Sequence, residues 1–193
     1  TTCVTNNGSH EQMIASQTPV ATLGLVPLLL RAVSNQKISM LLQLDGRVDT
    51  QILTSALRHV LQYNPVLASE LVVQCGQPQW HYRPERVRQA SAAVLRAAAP
   101  DDVLRKHPCS LVAGRGDTLE VIVFRGPQYD AMGITIDHTA ADAAGCREVV
   151  RQLGQSYTRL QRGEEIVIGV PPPRSRSLDS IWPQLGAKRC LAS

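Results

Sequence analysis

Residues 132–161 constrain the fold most, because a strand pattern there runs directly into a helix pattern. Between residues 132 and 137, small or polar side chains alternate with apolar ones, which is typical of a strand buried on one face. From residue 142 to residue 161, apolar side chains recur at helical spacing. The sequence therefore predicts a strand, a short loop and a long amphipathic helix in succession.

His138 and Asp142 lie in the predicted loop as an H-x-x-x-D pair. A histidine at the end of a rigid strand is well placed to act as a general base, and loops held by such scaffolds often carry function. The pair alone has low specificity, since short spacings recur by chance. Two simpler interpretations stay open: a polar loop histidine without a role, and a carboxylate that stabilises the helix dipole.

Further strands and helices are predicted on both sides of this unit. Asp49 has the properties of a helix N-cap, Val48 and Leu53 are placed as a hydrophobic staple, and Asn64-Pro65 ends that helix. Strand patterns cover residues 37–44, 67–74, 78–82 and 119–125, helical pieces are expected within residues 85–106, and residues 20–33 have no clear assignment. Strands interleaved with helices predict an α/β fold, a two-layer sandwich with helices covering one face of a sheet.

The composition narrows the class of protein. With 193 residues, 44% hydrophobic and 19% charged, the chain can bury a core as one domain or two small ones. The net charge of +4 comes mostly from scattered arginines without a basic run, so no nucleic-acid partner is expected. The longest apolar stretch, residues 23–30, is too short to span a membrane. Five widely spaced cysteines and the lack of metal-ligand spacings predict reduced thiols in the cytoplasm and no metal site.

Three segments together resemble the condensation-domain-like acyltransferases, whose fold is shared with chloramphenicol acetyltransferase. Residues 44–67 resemble the family's series of strand, G-x-x-D, helix and hydrophobic-P-x-L. Residues 137–145 resemble its H-H-x-x-x-D-G signature, and residues 157–163 resemble the Y-x-x-L-x-x-G end of the following helix. Their common order and spacing over about residues 37–180 are more specific than any one of them.

The resemblance implies a lobe of the chloramphenicol acetyltransferase type, with a mixed sheet covered by helices. It implies that His138 is the catalytic general base and that Asp142 is a structural carboxylate paired with an arginine. Asp137 and Gly145 would be structural residues of the same site. Asp137 stands where the family has its first histidine, and Ala143 stands where the family has the glycine after the aspartate.

The implied reaction is acyl transfer from a CoA or carrier-protein phosphopantetheine thioester to an amine or hydroxyl acceptor, without a tightly bound cofactor. Family members have two similar lobes and about twice this length. The second lobe is therefore expected from another chain, from a second copy in a homo-oligomer, or from the rest of a longer protein of which this chain is a fragment, and a carrier protein is expected as a further partner. Residues 1–20 would be a flexible segment, residues 21–170 the N-terminal lobe, and residues 171–193 a Pro/Arg-rich connector toward the second lobe. The other interpretation is a non-catalytic, degenerate lobe that binds a carrier protein or another partner.

Overall fold

The computed structural model describes residues 17–20, 22–30, 36–96 and 118–166. The chain order of the elements is β1 (Gln17–Pro19), α1 (Thr22–Leu30), β2 (Lys37–Gln43), α2 (Thr50–Tyr63), a 3-10 turn (Pro65–Ala68), β3 (Ser69–Gln74), β4 (Gln77–Tyr82), α3 (Pro84–Gln89), β5 (Ala93–Arg96), β6 (Leu119–Arg125), β7 (Asp130–Asp137) and α4 (Ala143–Gln161). The expected connector from residue 171 lies outside the described residues, as do His107, Trp182, Cys3, Cys109 and Cys190.

The strands form two sheets. The larger sheet has the order β2-β7-β6-β5, in which β5 and β6 run parallel and the other neighbours run antiparallel. The smaller sheet has the order β1-β4-β3 and is antiparallel. The predicted α/β fold with a mixed sheet is therefore confirmed, and β7, the strand that leads to the motif, lies in the interior of its sheet.

Helices α2 and α4 pack on one face of the larger sheet and form the core with it. Both helices present a buried apolar stripe, as expected from the 3.6-residue period. The buried side chains that meet there are Leu53, Leu57 and Val60 from α2, Cys146, Val149 and Leu153 from α4, Val121 and Val123 from β6, and Ile134 and Ile136 from β7. The motif strand and the motif helix are thus fixed by the same core.

Most predicted element boundaries are confirmed. The Asp49 carboxylate accepts hydrogen bonds from the backbone N–H groups of Gln51 and Ile52, at 2.8 and 3.1 Å, so Asp49 caps α2 as predicted. Helix α2 ends at Tyr63, directly before Asn64-Pro65. Strand β6 matches residues 119–125, and α4 follows Asp142 and ends at Gln161. These boundaries are set by caps and proline, which are local signals.

Three expectations from the sequence need correction or completion. The strand expected from residue 67 begins at Ser69, because Pro65 starts a 3-10 turn in which the Leu67 N–H bonds to the Asn64 carbonyl. Within residues 85–106, only Pro84–Gln89 is helical among the described residues, and Ala93–Arg96 forms strand β5 by pairing with β6. The unassigned segment at residues 20–33 contains helix α1. Strand pairing and helix packing are tertiary contacts, which local composition does not specify.

Helix α1 packs closely on the loop that follows β7. Gly24 is buried, and a Cβ placed on it would lie 2.9 Å from the carbonyl oxygen of Thr139 and 3.0 Å from Val20 Cγ1. A glycine is therefore needed for the helix backbone to reach this loop. Among the described residues, no helix has both the length and the apolar character to cross a membrane.

A fully buried aspartate, Asp130, fixes the other end of β7. Its carboxylate accepts hydrogen bonds from the Val48 N–H at 2.9 Å and from Arg125 Nη2 at 3.1 Å, and Arg125 also donates to the Val48 carbonyl at 2.8 Å. The Asp130 backbone bonds to Leu44 and Gly46, at 3.1 Å each. A buried charge is stable only when paired and hydrogen-bonded, so Asp130 ties the turn before α2 to the central strand.

Gly24→Ala is expected to lower the free energy of unfolding by about 1 kcal/mol, measured by urea denaturation. The added methyl overpacks the contact with Thr139, which costs about 1–3 kcal/mol. Alanine has a higher helix propensity than glycine, which offsets about 0.5–1 kcal/mol of that cost. Gly154→Ala in α4 is the matched control, because a Cβ there meets nothing within 4 Å. That variant should raise the free energy of unfolding by about 0.5–1 kcal/mol. Equal effects of the two substitutions would contradict the close contact between Gly24 and Thr139.

Asp130→Ala is expected to lower the free energy of unfolding by about 2–3 kcal/mol, because it leaves Arg125 and the Val48 N–H without their buried acceptor. Glu70→Ala is the control, since Glu70 pairs with Arg83 where the two side chains are 46% and 42% exposed. Exposed pairs contribute less than about 1 kcal/mol. If thermal denaturation showed that Asp130→Ala and Glu70→Ala lower the free energy of unfolding by similar amounts, Asp130 would not anchor the turn.

Candidate functional site

The candidate site is the loop between β7 and α4, residues 138–142. Backbone hydrogen bonds hold its first residues from two sides: the Asp137 N–H donates to the Thr118 carbonyl, and the His138 N–H donates to the Gln36 carbonyl, at 2.9 Å each. Thr118 directly precedes β6 and Gln36 directly precedes β2. The loop therefore begins from a point that both neighbouring strands fix.

Asp137 shapes the turn that follows. Its Oδ1 accepts hydrogen bonds from the Thr139 N–H at 2.9 Å and from the Thr139 hydroxyl at 2.5 Å. Its carbonyl oxygen accepts from the N–H groups of Ala140 and Ala141, at 2.9 and 3.3 Å. An aspartate that bonds the backbone two residues ahead makes a compact local turn. Asp137, at the first position of the signature, thus stabilises the loop by hydrogen bonds.

His138 is the solvent-facing residue of this turn. Thr139 and Ala140, which follow it, are 5% and 2% exposed, whereas His138 is exposed. Its backbone is fixed and its imidazole is directed to solvent. Such an imidazole can take a proton from an incoming nucleophile, provided that the nucleophile comes within hydrogen-bond reach.

Asp142 is the N-cap of α4. Its Oδ1 accepts a hydrogen bond from the Gly145 N–H at 2.7 Å, and its carbonyl accepts from the Cys146 N–H at 2.8 Å. A Cβ on Gly145 would lie 3.1 Å from Ala141 Cβ and 3.3 Å from Asp142 Oδ1, so glycine leaves room for the cap. Asp142 and Gly145 together fix the loop's far end by a local interaction of the kind that capping residues make.

The arginine partner expected for Asp142 is not found among the described residues. The ion pairs there are formed by the acidic residues Glu70, Asp130, Glu148 and Glu164. The Asp142 carboxylate bonds to the helix N-terminus, as the helix-dipole interpretation expects, and its pairing with an arginine stays a prediction.

Cys146 lies one turn into α4 and is buried. Burial, and then the negative charge of Asp142, raise the pKa of its thiol to about 11. The thiol is therefore protonated at neutral pH, and since the thiolate is the reactive form, Cys146 is a packing residue and not a nucleophile. This agrees with its predicted place on the apolar stripe of the helix.

The four predicted site residues lie in one stretch of the sequence, residues 137–145, and the other described histidines lie on other elements. His59 lies on α2 beside a groove toward α4, and His81 lies in β4 beside the buried Trp80. In the described part of the chain, no three His, Cys, Asp or Glu side chains are grouped as metal ligands would be. The bracing contacts of Thr118, Gln36 and Gly24 were not predicted. Only Gly24, inside an apolar run, carried a signal that could have revealed its contact.

Known structures share this fold. The first condensation domain of the calcium-dependent antibiotic synthetase, in complex with a substrate analogue, aligns with a TM-score of 0.70 and 15% identity over 91% of this chain and 46% of that domain. Polyketide synthase associated protein 5 from Mycobacterium tuberculosis aligns with a TM-score of 0.67 and 19% identity over 88% of this chain and 39% of that protein. The structure of the complex of the X-domain and OxyB from teicoplanin biosynthesis aligns with a TM-score of 0.67 and 20% identity, over 90% of this chain and 39% of that chain.

No protein-family model matches the chain, and no curated protein matches it in sequence. The structural matches are too low in identity to establish more than architecture. The chain spans less than half the length of the structures that it matches. It therefore has a condensation-domain-like fold, which extends over about 90% of its own length.

Proposed function

We propose that this chain is the histidine-bearing, N-terminal lobe of a condensation-type acyltransferase, with His138 as its general base. The observation that carries the proposal is the exposed imidazole at the end of the buried strand β7, in a loop whose backbone is fixed at both ends. The condensation-domain-like fold supports the same reaction class by analogy.

The proposed reaction transfers an acyl group from a CoA or phosphopantetheine thioester to an amine or a hydroxyl. The acceptor attacks the thioester carbonyl carbon while a nitrogen of His138 takes the acceptor's proton. The carbon–sulfur bond then breaks, and the sulfur leaves as a thiol after it receives that proton. General-base assistance of this kind contributes about 10²–10⁴-fold to the rate. Asp137, Asp142 and Gly145 would act by positioning His138.

A second lobe is part of this proposal, because the chain covers only 39–46% of the structures that it matches. We place the reaction between His138 and a facing lobe, supplied by a continuation of the same protein, by another chain or by a second copy, with a carrier protein that brings the acyl donor. Residues 171–193 would connect toward that lobe. Thioester substrates and reduced thiols fit a cytoplasmic enzyme.

His138→Ala is expected to reduce thioester-dependent transfer by about 10²–10⁴-fold, because the general base is lost. The assay follows the thiol released from a series of acyl-CoA and acyl-pantetheine thioesters in the presence of amine acceptors, using the native assembly. Folding should be unchanged, since the His138 side chain has no hydrogen-bond partner among the described residues.

His59→Gln is the matched control, because His59 lies on α2 and away from the motif loop. It should retain the full rate. Unchanged transfer in His138→Ala, in a sample with normal circular dichroism, would refute the catalytic role of this residue.

The second candidate is a non-catalytic lobe that binds a partner. It is favoured by the exposed apolar side chains of α1, where Val26 is 57% and Leu29 is 78% exposed. The X-domain of similar fold is known in a complex with OxyB.

Light scattering of the native protein, with mass spectrometry of what co-purifies, separates the two candidates when it is combined with the His138→Ala assay. A two-lobe acyltransferase predicts a stoichiometric companion of similar size, or a homo-oligomer, whose transfer activity depends on His138. A binding module predicts a partner complex that survives His138→Ala and shows no transfer in either form. A lone native monomer with the mass of this one lobe would remove the enzyme proposal for this chain.

A further inference from the structure

An apolar recess lies beside the start of β7, the end of the strand opposite His138. It has a volume of about 280 Å³ and is formed by the turn before α2, the start of β7 and the C-terminal half of α4. Six residues separate Met132, in the recess, from His138, so along β7 the two sites are about 20 Å apart at about 3.3 Å per residue. The recess is therefore independent of the proposed active site.

The floor of the recess is apolar. Leu53, Met132 and Leu153 are 2%, 8% and 2% exposed and form its base, with Leu44 and Val48 beside them. The recess is open to solvent on one side and has a volume of about 280 Å³. This lies at the small end of the range of ligand pockets, about 300–1,000 Å³. The size and lining fit a short aliphatic chain.

Gly154 lines the recess. It lies in the interior of α4, where a glycine costs about 0.5–1 kcal/mol relative to alanine, and a Cβ there would meet nothing within 4 Å. Neither helix geometry nor close packing requires this glycine. A larger side chain at this position would instead occupy the recess, which makes residue 154 the natural point at which to test it.

The polar rim offers hydrogen-bond donors. Arg47 is the one charged residue among the eleven that line the recess, and no described carboxylate lies within ion-pair distance of it. One Arg47 nitrogen donates to the Pro127 carbonyl at 2.9 Å, which leaves its other N–H groups for a ligand. The Tyr157 oxygen accepts from the Asp49 N–H at 3.0 Å, so its own proton has no acceptor among the described residues. Donors beside an apolar floor complement a carboxylate with an aliphatic tail.

We infer that this recess binds a medium-chain aliphatic carboxylate of about eight carbons, with the tail against Leu53, Met132 and Leu153 and the carboxylate at Arg47 and Tyr157. Octanoate, a small ligand of ten non-hydrogen atoms, suits a recess at the small end of the range of ligand pockets. The inference does not depend on the proposed acyltransferase function, because it uses none of the residues of the motif loop.

Isothermal titration with sodium octanoate and with octylamine tests the site in the full chain. We expect octanoate to bind with 1:1 stoichiometry, and octylamine, which has the same tail and the opposite charge, to bind at least about tenfold more weakly. Gly154→Leu should reduce octanoate affinity at least about tenfold, since its side chain fills the space of the tail. Gln155→Leu is the matched control: it adds the same side chain at the next, exposed position of α4 and should leave binding unchanged.

Arg47→Met provides a second test at an exposed position where folding is not at risk. It should weaken octanoate binding by about two- to fivefold and should reduce the preference for octanoate over octylamine, because an exposed ion pair contributes modestly. The inference is overturned if octanoate does not bind, if octanoate and octylamine bind equally well, or if Gly154→Leu, folded by circular dichroism, binds octanoate like the unmodified chain.

Discussion

The structure depends on the hydrogen bonds that two aspartates make at the two ends of the central strand β7. Asp130 is fully buried at the start of the strand and binds the turn before α2 together with Arg125. Asp137, at the end of the strand, binds Thr139 and shapes the motif loop. Between them, the strand pairs on both sides along its whole length. Because both aspartates bond to backbone groups, they fix the path of the chain on either side of β7.

This arrangement explains how a rigid core can present an accessible histidine. The backbone of His138 is held by Gln36 from one side, and the loop is covered by α1 through the contact between Gly24 and Thr139. The far end of the loop is fixed by the Asp142 cap, which Gly145 leaves room for. The backbone that carries the imidazole is therefore already fixed before a substrate arrives, and a general base benefits from such positioning. The neighbouring Cys146, in contrast, is held as an unreactive thiol by burial.

The surfaces at the two ends of β7 differ in chemical character. At the motif end, the exposed polar group is an imidazole on a braced loop, and nearby α1 exposes apolar side chains. At the other end, an apolar recess opens beside Arg47, and Gly154 of α4 is one of its lining residues. Helix α4 links the two ends, since the motif loop supplies its N-cap, Asp142, and its last turns line the recess. Both features therefore rest on the same helix and the same core, although they are about 20 Å apart along β7.

The sequence alone determined the features that depend on neighbouring residues. The caps at Asp49 and Asp142, the stop at Asn64-Pro65, the apolar run of β6 and the apolar stripes of α2 and α4 all follow from local spacing and backbone chemistry. The signature order also indicated the fold and placed His138 at the end of a strand. Only the tertiary structure decided that residues 93–96 form a strand, that α1 covers the motif loop, and that Asp130 pairs with Arg125 inside the protein. These contacts join residues far apart in the chain, and their free energy comes from burial and from pairing, which no local pattern encodes.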